Sequence, residues 1–249
     1  MMTRMALFVF GLTLSLGAFA QHAGEGALQM EPANTDVSDS EALQRGAKYF
    51  VNYCLGCHSA EYVRYNRVAE DLGLTEAQLV ENLMFTGERP FDTMTNAMDP
   101  VAAASWFGVA PPDLSLIARS RGTDYLYNFL LGFYKDEATL TGANNLWLAN
   151  TAMPHVLWEL QGIRTAVFSE SRGELAGLPV FEHFEPVSSG ELSEQEYELL
   201  VRDIVTFLDY IGEPMQLERR ALGVRVIGFL LIFLLISYML KREIWKDVH

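Results

Sequence analysis

Both cysteines of this 249-residue chain fall in one pentapeptide, Cys54-Leu55-Gly56-Cys57-His58. Two thiols at this spacing serve a thioredoxin-like disulfide, half of a zinc site, or the covalent attachment of a c-type haem. Each use demands a different fold around it. A zinc tetrahedron needs two more ligands at partner spacing, and His22, His155, His183 and His249 offer no such pair. A redox disulfide wants its first thiol at a helix N-terminus behind a strand, where the helix dipole lowers the thiol pKa. Here the helix comes first. In "SDSEALQRGAKYFVNYC", Leu43, Ala47, Phe50, Val51 and Cys54 share one helical face, and Ser38 and Glu41 have capping-box spacing. This predicts a helix over 39–53 with the cysteines at its end. Thioethers from Cys54 and Cys57 to haem c, with His58 ligating the iron, use every unusual residue of the run.

Attachment of this kind implies export, and the N-terminus has the pattern for it. "MMTRMALFVFGLTLSLGAFAQ" carries Arg4, an apolar core from Met5 to Leu16, and Ala18 and Ala20 in A-x-A spacing, the pattern of a signal peptide over 1–20. At the other end, Val226 to Leu240 is free of charge, and Ala221 to Leu240 gives a span of 20 residues if Arg225 snorkels to the interface. Tyr238, Trp245, Lys241 and Arg242 suit a membrane boundary. The expected organisation is a periplasmic haem domain over 21–218, a transmembrane anchor over 219–241 and a cytoplasmic tail over 242–249. The protein would then sit in the inner (cell) membrane as a single-pass protein.

Charge narrows the partners. The net charge is −14, and loss of Arg4, the only charge in residues 1–20, takes it to −15. That balance disfavours nucleic acid and favours a basic protein. Glu170 to Glu198 holds eight glutamates against Arg172 as its one Lys or Arg, a candidate docking face.

An iron held by His58 needs a sixth ligand, whose identity separates an electron carrier from a gas-binding haem. Met84, Met94, Met98, Met153 and His155 are the candidates. Met153 lies in "NLWLANTAMPHVLWELQG", an apolar stretch in which Pro154 turns the backbone away from helix. A thioether raises the reduction potential relative to a second imidazole.

Three runs in order, "RGAKYFVNYCLGCHSAEYVRYNRV", "APPDLSLIARSRGTDYLYNFLLGFY" and "AMPHVLWELQG", followed by a helix running into the anchor, resemble the cytochrome c1 family of the cytochrome bc1 complex. The resemblance covers most of residues 40–245. It implies a mainly α, c-type cytochrome fold around one covalent haem, with Met153 as the distal ligand. It also implies Pro111 and Pro112 in the haem pocket, Arg121 facing a propionate, and Tyr125 nearby. Implied partners are cytochrome b, a Rieske iron–sulfur protein and a soluble or membrane-bound c-type cytochrome acceptor. Some members of the family carry an additional disulfide. This chain has no cysteines for one, so rigidity around the distal ligand must come from packing.

The C-terminal half fits this architecture. "SEQEYELLVRDIVTFLDYIGEP" has capping-box spacing at Ser193 and Glu196 and a stripe of Tyr197, Leu200, Val201, Ile204, Val205, Leu208 and Ile211. Such a helix would cross the N-terminal one, with Gly46 permitting close approach. The function expected is single-electron transfer as a subunit of ubiquinol–cytochrome c oxidoreductase, with no bond-making of its own. The competing readings are an anchored c-type cytochrome of another respiratory dehydrogenase or reductase, a tethered thiol–disulfide oxidoreductase, and a haem-based ligand sensor.

Overall fold

A computed structural model of the chain describes residues 28–170 and 179–246. The signal peptide expected at 1–20 lies outside these residues, as do the last three of the expected tail.

Helix α1, Ser40–Tyr49, starts just after the expected point because Asp39 caps it. The Asp39 carboxylate accepts from the amides of Glu41 and Ala42 at 3.0 and 3.1 Å, while the Ser38 hydroxyl donates to Asp36 instead. A carboxylate at this position also complements the positive end of the helix dipole. At Phe50 the α geometry gives way to a π-helical turn, Phe50–Cys54, closed by the Leu55 amide on the Phe50 carbonyl at 2.9 Å. The α-helix expected to reach residue 53 therefore ends at Tyr49. The wider turn adds a residue without breaking the chain direction, so Phe50 and Val51 stay buried while Cys54 comes round to a cavity.

Short elements follow: β1 (Ala60–Arg64), α2 (Tyr65–Asp71), α3 (Glu76–Asn82), β2 (Thr93–Met94), α4 (Pro100–Phe107), α5 (Ile117–Arg121), α6 (Thr123–Leu131), β3 (Phe133–Lys135), β4 (Ala143–Asn145) and α7 (Trp158–Gln161). Strand β1 pairs antiparallel with β2, with a register shift between Ala60 and Arg64, and β3 pairs antiparallel with β4. Strands β5 (Gly162–Glu170) and β6 (Pro179–Ser189) form a third two-stranded sheet. Helices carry the core, as expected. The three small ladders were not legible in the apolar spacing.

Two compact units divide the described residues: 30–165 with 184–246, and a smaller one that includes 166–170 and 179–183. In the smaller unit Phe168 meets Phe181 edge-on at 6.1 Å.

Helix α8, Glu194–Gly212, is the spine of the larger unit. Both bonds of the Ser193 and Glu196 capping box are present, and all seven residues of the expected stripe are buried, joined by Phe207 and Tyr210. Its most extensive partner is α1. At the crossing a Cβ on Gly46 would lie 2.1 Å from the Asp203 carbonyl oxygen and 2.8 Å from Phe207 Cβ, so only glycine permits the approach. Beside it Arg45 grips the buried Asp203 carboxylate through Nε at 2.6 Å and Nη2 at 3.1 Å. Phe50 packs on Phe207 at 5.3 Å.

Glu213, Pro214 and Met215 separate α8 from α9, Gln216–Ile244. At 29 residues α9 is longer than the 219–241 expected. A rise of 1.5 Å per residue makes it about 44 Å long, against a hydrocarbon core of ~30 Å. Its apolar side chains from Leu222 to Ile244 are exposed rather than packed on the domain, as a membrane anchor requires.

Gly46→Ala should abolish the close α1–α8 approach and destabilise the domain by about 3 kcal/mol, the upper end for overpacking, because the obstacle is backbone. Denaturant unfolding followed by far-ultraviolet circular dichroism checks this.

Candidate functional site

The π-turn and the Cys54 to His58 run open onto a cavity enclosing ≈ 1260 Å³ of space, its mouth included. Cys54, Cys57, His58, Pro111, Pro112, Arg121, Tyr125 and Met153 all line it. Three stretches far apart in sequence, 54–58, 111–125 and the loop at Met153, thus converge on one space, and α8 adds Ile204 and Leu208 to its lining.

The cysteine run is compact because the Cys54 carbonyl accepts from both the Cys57 and His58 amides, at 3.1 and 2.9 Å. No disulfide joins the two cysteines. Burial, with Cys57 adding a smaller effect, pushes the Cys54 thiol up to about 12. A thiol so reluctant to ionise is a poor disulfide exchanger, which counts against the oxidoreductase reading.

His58 is oriented by the backbone. Its Nδ1 lies 2.7 Å from the Pro112 carbonyl oxygen. A carbonyl can only accept, so Nδ1 carries the proton and the Nε2 lone pair is left free for a metal. Burial lowers the ring's pKa and favours the neutral, ligating form, although the Pro112 bond and Asp113 act the other way.

The Pro-Pro loop is sewn to the histidine segment. Asp113 accepts from the Glu61 amide and, in an Asx-turn, from the Ser115 amide, each at 2.8 Å. The Leu114 amide donates to the Ser59 carbonyl at 2.8 Å, and Tyr62 donates to Ser115 Oγ at 3.1 Å. Asp113 and Ser115 were missed in the sequence; an Asp-x-Ser step after Pro-Pro was the available signal.

Of the sixth-ligand candidates, only Met153 lines the cavity. Met94 is buried in β2 opposite Ala60, and Met84 and Met98 lie elsewhere. His155 stacks on Phe133 with ring centroids 5.0 Å apart and planes 4° apart. The loop leading to Met153 hangs on two buried asparagines that sequence reasoning also missed. Asn144 Oδ1 accepts from the Asn150 amide at 2.8 Å, where Asn150 adopts φ 58°. Asn145 Nδ2 donates to the Phe129 carbonyl at 2.7 Å while its Oδ1 accepts from the Trp147 amide at 2.9 Å. Their signal was a polar pair inside an apolar run.

The two arginines of α5 have different surroundings. Arg119 is ion-paired to Glu213 at 3.2 Å. Arg121 lines the cavity with its guanidinium 5.6 Å from the Tyr125 ring centroid, and no described carboxylate pairs with it. An apolar cavity with paired thiols, a neutral imidazole, a thioether and one free cation suits an iron porphyrin, whose face is apolar and whose propionates are anionic.

Fold and site together define a c-type cytochrome with a haem cavity and a candidate membrane anchor. The Cytochrome C1 family model matches residues 33–248, and the chain belongs to that family. Its cofactor is a covalently attached haem c. The chain is 46% identical over 245 residues to "Cytochrome c1" of Allochromatium vinosum, covering 98% of this chain and 100% of the relative. It is 42% identical over 246 residues to "Ammonia monooxygenase gamma subunit" of Nitrosomonas europaea, covering 99% and 100%. A "Cytochrome b/c1" of Bradyrhizobium diazoefficiens is 26% identical over 85% of this chain and 34% of that protein.

Asp113→Ala should remove two amide acceptors and cost about 2 kcal/mol. Hydrogen exchange should show faster exchange confined mainly to the Glu61 and Ser115 amides and their neighbours.

Proposed function

We propose that this protein passes single electrons from a Rieske iron–sulfur protein to a c-type cytochrome, as the haem subunit of a bc1-type ubiquinol–cytochrome c oxidoreductase. The carrying observation is the meeting of Cys54, Cys57, His58 and Met153 around one cavity. When bound, haem c supplies a one-electron ferric/ferrous couple. Cys54 and Cys57 would hold it through thioethers, and His58 Nε2 and the Met153 thioether would ligate its iron. Arg121 would pair with a propionate, a pairing that guanidinium makes bidentately, and Tyr125, Pro111 and Pro112 would contribute to the pocket wall. Two protein ligands held by their own loops would leave no open position for substrate and would keep rearrangement on electron transfer small. The subunit makes no bonds of its own in the catalytic cycle, since quinol oxidation belongs to cytochrome b. The Bradyrhizobium relative, whose name joins b and c1, supports cytochrome b as the neighbour.

In this reading residues 1–20 are a signal peptide, the haem domain lies in the periplasm and the end of the chain after α9 lies in the cytoplasm. The name of the Nitrosomonas relative favours a second reading, in which the same cytochrome serves another oxidoreductase. Purification of the detergent-solubilised holoprotein distinguishes them: a bc1-type subunit brings b-type haem with it.

Three outcomes are expected. A denaturing gel stained for haem peroxidase should show a band that acid–acetone extraction does not bleach. Met153→Leu should keep that band yet lose the near-infrared methionine-to-iron transition and lower the midpoint potential; an unchanged transition would move the ligand elsewhere. Truncation after Glu218 should release a soluble, haem-bearing periplasmic fragment, and its recovery only in membranes would contradict the topology.

A further inference from the structure

Arg164, at the start of β5, is a largely buried cation with no described carboxylate in ion-pair range. Its Nε donates to the Phe133 carbonyl at 3.0 Å and its Nη2 to the Leu131 carbonyl, while the guanidinium lies over the Phe184 ring, 3.4 Å from the centroid. Burial lowers its pKa to about 10, so it remains charged at neutral pH. Desolvating a cation is costly. Helix C-termini are ordinarily capped by a glycine or an exposed basic side chain, and a buried fork is not needed for that alone. What it holds is specific: the last carbonyl of α6 and the first of β3, on either side of Gly132, where the helix dipole is negative.

Those two carbonyls frame an aromatic series that leads to the distal loop. Tyr125 and Phe129 of α6 line the cavity and stack at 6.0 Å. Phe129 meets Phe133 edge-on at 5.1 Å, and Phe133 lies flat against His155 at 5.0 Å, two residues from Met153. Asn145 grips the Phe129 carbonyl from the other side and holds the same loop at Trp147. Movement of the α6–β3 corner would therefore reach Met153 through Phe133 and His155.

We propose that Arg164 is a positioning residue for Met153: by fixing the Leu131 and Phe133 carbonyls it sets the ring against which His155 packs, and so the strength of the methionine–iron bond. The proposal rests on the reading of Met153 as the distal ligand. Lysine keeps the charge but cannot span both carbonyls with a rigid fork, so positioning and plain charge make different predictions.

The test uses the full-length holoprotein with Arg164→Gln, Arg164→Lys and, separately, His155→Leu, which removes the stacking partner and leaves the Arg164 bonds. Three properties are read: the near-infrared methionine-to-iron band of the oxidised form, carbon monoxide binding by the reduced form, and the midpoint potential. Arg164→Gln should lose most of the band, bind carbon monoxide severalfold more readily and titrate at a lower potential with haem still attached. Arg164→Lys should fall between it and the parent, and His155→Leu should resemble Arg164→Gln. Band and carbon monoxide behaviour at parental levels in both Arg164 variants, even with a lowered melting temperature, would overturn the proposal. Should Arg164→Gln fail to accumulate, parental behaviour of Arg164→Lys and His155→Leu would overturn it equally. Met153→Leu run alongside separates the two ideas: if it too keeps the band, the ligand assignment fails, whereas if it alone loses the band, Arg164 is not the positioning residue.

Discussion

The close crossing of α1 on α8 is the constraint from which the rest of the structure follows. Gly46 lets the two backbones nearly touch, Arg45 neutralises the one carboxylate this buries, and Phe50 on Phe207 extends the contact toward the cysteines. Because α1 is locked there, the π-turn at its end delivers Cys54, Cys57 and His58 to the same space that Ile204 and Leu208 of α8 floor. Haem attachment and hydrophobic core are thus one packing problem, solved by one helix pair.

Around that pair the two residues proposed as iron ligands are held by main-chain carbonyls more than by other side chains. His58 is aimed by the Pro112 carbonyl, the loop before Met153 by Asn145 on the Phe129 carbonyl, and the corner behind it by Arg164 on the Leu131 and Phe133 carbonyls. A carbonyl cannot change protonation state, so these restraints persist across pH where carboxylate partners would not.

The anchor is joined to the haem domain by more than a peptide link. Glu213 accepts from Arg119 of α5 and Arg219 of α9, and Gly212 sits where the Arg119 stem passes, with 3.3 Å to an added Cβ. On the other side Tyr210 and Arg67 share the Asp71 carboxylate at 2.6 and 2.7 Å, and Arg67 reaches Met215 Sδ at 3.4 Å. Exposed ion pairs taken singly contribute little, but these cluster around the three residues between the two helices. They restrict how α9 leaves the domain whose α5 carries Arg121 to the cavity mouth.

The attachment motif, the capped amphipathic helix with its buried stripe, the apolar anchor and the glycine at the crossing were legible in the amino-acid sequence. Each depends on local spacing: two thiols and an imidazole within five residues, a period of 3.6, or an uncharged run. The resemblance also named Cys54, Cys57, His58, Pro111, Pro112, Arg121, Tyr125 and Met153, all of which line the cavity, but not Ile204 and Leu208 on its floor. Local spacing misplaced the end of α1, because a π-turn and an α-turn have the same apolar pattern until the extra residue is seen. It was silent on Asp113, Asn144, Asn145 and Arg164, whose partners are carbonyls and amides up to 52 residues away. It favoured Met153 over Met94 and Met98 only modestly and kept His155 as a rival. Only tertiary structure separates them, since a thioether becomes a ligand by where its loop is held, and backbone hydrogen bonding between distant segments carries no signature in residue type.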